Sequence, residues 1–169
     1  MTVPIAADLL PYRSHEISVS GYQLRYIDEG PTRRREDESS SAPETILCVH
    51  GNPTWSFYWR RVIERFSPRY RVIAVDHLGC GRSDKPPSGR FPYTLAAHRD
   101  NLLELIDRLD LRQINLLAHD WGGAIGLSAL LERRDRLARI TLLNTGAFPP
   151  PYVPWRIAAC RTPLLGTLA

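Results

Sequence analysis

Leu116-Leu117-Ala118-His119-Asp120-Trp121-Gly122-Gly123 decides the fold. An apolar run, Ile114 to Ala118, stops abruptly at a carboxylate, and two glycines and an apolar segment, Ala124 to Leu131, follow at once. This order predicts a strand, a sharp turn and a helix, with Asp120 at the apex. Strand and helix nearly touch at such a turn, which explains the small residues Ala118 and Gly122 on either side. A carboxylate at the apex is ionised without help from a base. It can attack carbon directly and form a covalent intermediate.

Outward from this turn, other short apolar runs predict a sheet. Glu16 to Ser20 and Tyr22 to Ile27 alternate in character around Gly21 and read as a hairpin. Thr45 to Val49 and Arg71 to Val75 are continuous apolar runs, as in parallel strands buried on both faces. Ile140 to Leu143 is a further strand, ending at Asn144. Helices are expected over Trp55 to Phe66 and Thr94 to Leu109. In the second, Leu102, Leu105, Ile106 and Leu109 share one face, as core.

Strands alternating with helices predict an α/β fold, a mostly parallel sheet with helices on both faces. Ligands bind such sheets beyond the carboxyl ends of the strands. Three unusual segments fall there: His50 to Pro53, Asp76 to Gly81, and Asp120 to Gly122.

Bulk composition narrows the function classes. The chain has 169 residues, 43% hydrophobic and 24% charged, with a formal net charge of +4. That describes a globular domain. Lys85 is the only lysine, and the arginines lie scattered among acids, the pattern of a solvated surface and not of a nucleic-acid stripe. Cys48, Cys80 and Cys160 fit neither a metal spacing nor a disulfide framework, so no metal or cofactor is expected and a cytoplasmic setting is. No apolar run is long enough to span a membrane, and Met1 to Pro11 lacks the basic start of a secretory signal. Residues 31–44, with three arginines, acids and serines in succession, read as a flexible loop.

The turn resembles the nucleophile elbow of α/β-hydrolases, with Ala-x-Asp-x-Gly in place of Gly-x-Ser-x-Gly. His50-Gly51-Asn52-Pro53-Thr54-Trp55 and Asp76-His77-Leu78-Gly79-Cys80-Gly81-Arg82-Ser83-Asp84-Lys85-Pro86 resemble two blocks of the haloalkane dehalogenase and epoxide hydrolase branch. Asp76 to Gly81, His119, and Leu143 to Phe148 look most like the β-lactone decarboxylases of bacterial olefin biosynthesis. That resemblance implies conversion of cis-3-alkyl-4-alkyloxetan-2-ones to cis-olefins and carbon dioxide. Haloalkane dehalogenation and epoxide hydrolysis are the alternatives within the branch, and Asn52 in place of an aromatic residue counts against the epoxide. An inactive fragment or interaction module is the alternative outside enzymes.

The resemblance also implies roles. Asp120 is the nucleophile. The backbone N–H groups of Trp121 and Asn52 form the oxyanion hole, and their side chains hold the leaving anion. His50 and His119 are expected as hydrogen-bonded supports and Asp84 as a loop brace; His77 receives no role. Residues 1–148 correspond to the N-terminal part of the hydrolase core, ending after about strand six, and 149–169 to the start of a cap. The family's catalytic histidine lies near the end of a chain about twice this length, and no histidine follows His119. This chain alone is therefore expected to be inactive. Its partners would be a hydrophobic small molecule, enzymes of the same pathway, or a missing C-terminal half.

Overall fold

The computed structural model describes residues 9–32, 44–146, 152–155 and 158. The expected flexible loop lies almost wholly outside these residues, as does most of the expected cap start.

The hairpin forms as predicted: β1 (Ser14–Val19) pairs antiparallel with β2 (Tyr22–Glu29). Ser20 (φ 50°) and Gly21 (φ 78°) make the turn, both left-handed, as a two-residue hairpin turn twisted to match its strands requires. β3 (Thr45–Val49) matches the apolar run residue for residue, and β4 (Arg71–Asp76) exceeds it by one. The helix expected over Trp55 to Phe66 is two elements, a 3-10 turn (Ser56–Trp59) and α1 (Arg60–Phe66). After β4 come α2 (Leu95–Arg108), β5 (Ile114–His119), α3 (Trp121–Leu131) and β6 (Leu137–Leu143). Thr94 lies outside α2 because it caps it, its hydroxyl accepting the Ala97 N–H at 3.2 Å.

The strands form one six-stranded sheet in the order β1-β2-β4-β3-β5-β6. The pairings β4-β3, β3-β5 and β5-β6 are parallel. Alternate side chains of β3 and β4 enter two cores. Leu47, Val49, Ile73 and Val75 pack with Leu102, Leu105 and Ile106 of α2 and Ile125 and Ala129 of α3. Cys48, Val72 and Ala74 face the other way, with Trp59 and Ile63. Helices thus cover both faces, and this is why β3 and β4 read as unbroken apolar runs.

β6 starts three residues before the expected strand. Arg139 hides the signal, because its side chain stays on the surface and bonds Glu44 (2.9 Å) and the Asn115 side-chain oxygen (3.1 Å). β6 is the edge of the described sheet, with Ile140 47%, Leu142 40% and Leu143 37% exposed. Among the described residues no helix is long and apolar enough to cross a membrane.

Candidate active site

β5 delivers the chain to Asp120, whose backbone (φ 55°, ψ −131°) lies where non-glycine residues are rare. Such a conformation costs about 1–3 kcal/mol and persists only when its surroundings impose it. They do so here. The Asp120 N–H donates to Leu143 O (3.4 Å), and its carbonyl accepts the Gly123 N–H (3.0 Å) and the Thr145 hydroxyl (2.6 Å). The sharp turn is therefore stapled to the end of β6.

The small residue at 122 has a different reason from the one expected. A Cβ on Gly122 would collide with the carbonyl oxygens of Val49 and His50, so the close approach is between α3 and the end of β3, not between α3 and its own strand. Gly51 lies against Asp120 itself: a Cβ there would collide with the Asp120 side chain.

The structure brings Asn52 to Asp120. The Asn52 N–H donates to Asp120 Oδ1 at 2.8 Å, across 68 residues of sequence. No hydrogen bond to Oδ2 occurs among the described residues, so this oxygen keeps its lone pairs. Trp121 opens α3, where backbone N–H groups lack helical partners. Trp121 is 59% exposed and Asn52 is exposed too, so the pair is not enclosed by the described residues. Both line a cleft of about 360 Å³, together with Gly51, His77, Tyr93 and Ile125. Asp120 is not itself among the lining residues; its neighbours Gly51, Asn52 and Trp121 are.

Behind this floor lies a buried pair that sequence reasoning half missed. The His77 backbone N–H donates to His50 Nε2 (3.0 Å), so His50 carries its proton on Nδ1, which bonds Gly51 O at 2.7 Å. His77 Nε2 in turn bonds the His50 carbonyl at 3.1 Å. Burial lowers both ring pKa values, that of His77 well below the ordinary value, with His50 and His98 adding to the effect on it. Burial also lowers that of His98, which touches the His77 ring. His77 gave no sequence signal because its partner lies 27 residues away.

Two carboxylates brace the surrounding loops. Asp76, buried, accepts the N–H groups of Ser56 (2.7 Å) and Arg82 (2.8 Å). Asp84 accepts the Gln23 N–H at 2.8 Å and donates its own N–H to Gln23 O at 3.0 Å, the bracing expected of it. His119 differs from expectation. Its ring stacks on Tyr58, centroids 4.7 Å apart, and its buried Nδ1 has no hydrogen-bond partner among the described residues. Its support is packing. No cluster of His, Cys, Asp or Glu suited to a metal ion occurs among the described residues.

A left-handed carboxylate between a strand and a helix, on a six-stranded, mostly parallel sheet, defines the class. Residues 44–159 match the family model of the alpha/beta hydrolase fold, and the chain belongs to that family. Among individual proteins, the chain is 40% identical over 164 residues to the cis-3-alkyl-4-alkyloxetan-2-one decarboxylase of Shewanella oneidensis, covering 95% of this chain and 48% of that one. It is 37% identical over 141 residues to haloalkane dehalogenase 2 of Mycobacterium tuberculosis, covering 83% and 45%. The solved structure of haloalkane dehalogenase DpaA from Paraglaciecola agarilytica superposes with a TM-score of 0.76 at 34% identity, covering 90% of this chain and 50% of that one. The chain spans about half the length of the curated relatives it matches.

Proposed function

We propose that this chain carries the nucleophile and leaving-group donors of a β-lactone decarboxylase, acting on cis-3-alkyl-4-alkyloxetan-2-ones. The observation that carries this reading is the Asp120 carboxylate, with Oδ1 held by the Asn52 N–H and Oδ2 without a hydrogen bond among the described residues. Oδ2 attacks the saturated, alkyl-bearing ring carbon bonded to the lactone oxygen. That C–O bond breaks and an ester to Asp120 forms. The freed carboxylate is received near the Asn52 and Trp121 side chains, each a hydrogen-bond donor. Loss of carbon dioxide then sends the C–C electron pair into the new double bond and returns Asp120 as a carboxylate.

Haloalkane dehalogenation is the second reading, favoured by the same two donors, which suit a halide equally well. It leaves an ester that must be hydrolysed, so it needs water and a base. No histidine among the five in the sequence hydrogen-bonds Asp120. The free thiols of Cys48 and Cys80 agree with a cytoplasmic setting.

The test uses the intact protein with a cis-β-lactone and, separately, a 1-haloalkane. Asp120→Asn is expected to lower olefin release by at least about 10³-fold, the loss typical of a removed nucleophile. Undiminished release would overturn the nucleophile assignment. Halide release without olefin release would replace the first reading with the second.

A further inference from the structure

The donor that grips Asp120 is one end of a peptide unit whose other end is clamped. Asn52 N–H and Gly51 C=O belong to the same planar peptide, so fixing one fixes the direction of the other. Gly51 O accepts three hydrogen bonds: from His50 Nδ1 (2.7 Å), the Thr54 hydroxyl (3.1 Å) and the Thr54 N–H (3.2 Å). The opposite end of the plane meets Asp120 Oδ1. Gly51 has no side chain to add stiffness, and none would fit.

We propose that His50 is a positioning residue: with its Nδ1–H tautomer set by the His77 backbone N–H, it aims the Asn52 N–H at the Asp120 carboxylate. The links run in order from His77 N–H to His50 Nε2, from His50 Nδ1–H to Gly51 O, and from Asn52 N–H to Asp120 Oδ1. Each hydrogen bond polarises the peptide in the sense that strengthens the next. The His77 ring adds a second hold, on the His50 carbonyl. A protonated His50 would turn a second donor toward the His77 N–H and break the first link. Burial opposes such protonation, whereas the Gly51 carbonyl, Asp76 and Asp120 favour it. His50 touches no substrate in this arrangement and acts only through the peptide.

The proposal rests on Asp120 being the nucleophile, and its test separates the two. Three substitutions in the intact protein remove different links. His50→Asn keeps a donor where Nδ1 stands, His50→Gln keeps a polar group only where Nε2 stands, and His50→Phe keeps neither. Hydrogen exchange of the Asn52 amide and the kcat and KM for a cis-β-lactone are read together. The glutamine and phenylalanine variants should exchange this amide at least about 10-fold faster and lose about 10–100-fold in kcat, with KM changed less than about twofold, as for a lost preorganised donor. The asparagine variant should stay within about threefold of the parent on both readouts. Equal behaviour of all three variants, whether all intact or all impaired, overturns the proposal, because packing alone would then account for His50. If the parent protein turns over no lactone, the substrate reading fails, and the order of the exchange rates still decides the role of His50.

Discussion

At the scale of single residues, two glycines beside Asp120 divide chemistry from folding. The atoms nearest a Cβ on Gly51 belong to the Asp120 side chain, whereas those nearest a Cβ on Gly122 belong to the carbonyls of Val49 and His50. A side chain can move aside; two strand-end carbonyls cannot. Gly51→Ala is therefore expected to displace the carboxylate and cost about 10²-fold in kcat, as small misplacements do, with little change in thermal midpoint. Gly122→Ala is expected to destabilise the fold by about 1–3 kcal/mol through the forced shift of backbone. Activity assays paired with thermal melts check both; the reverse pattern would show that the Asp120 side chain is held more rigidly than the end of β3.

Elements place these residues by their ends. β3, β4 and β5 stop at Val49, Asp76 and His119, and the three segments that follow meet at one end of the sheet. α2 gives β4 and β5 their shared core through Leu102, Leu105 and Ile106. Its start depends on Thr94, so Thr94→Ala should lower stability by about 1 kcal/mol, read from the denaturant midpoint. Thr94→Ser should restore most of it, since serine supplies the same hydroxyl. No loss in the alanine variant would mean that water satisfies the first turn equally well.

Across the whole molecule, the three linked histidines couple stability to pH. His50, His77 and His98 have pKa values lowered chiefly by burial, from an ordinary 6.5. The unfolded chain therefore takes up protons first as the pH falls. Stability is present in full above about pH 6.5 and declines below it, by up to about 1.4 kcal/mol per pH unit for each histidine that stays neutral in the fold. Asp107, whose pKa is lowered chiefly by its hydrogen bond to Arg133, adds its own loss only in the more acidic carboxylate range, so the window from pH 6.5 to 5 isolates the histidines. Denaturant midpoints measured across that window should fall steadily. A flat profile would show that the buried rings accept protons as readily as free ones.

The sequence by itself determined most of the elements and the place of Asp120 at the apex of the turn between a strand and a helix. The apolar runs of β3 and β4 are local signals set by burial on both faces, and Asp120 between a strand and two glycines is a local signal too. Where a strand is not covered the signal fades, which is why Arg139 concealed the start of β6. Tertiary structure alone decided what surrounds Asp120. The Asn52 N–H lies 68 residues from Asp120 in sequence, and His50 meets His77 across 27. No periodicity carries such pairings. They arise because parallel strands that are far apart in sequence end side by side, and the loops leaving those ends must satisfy one another's buried polar groups.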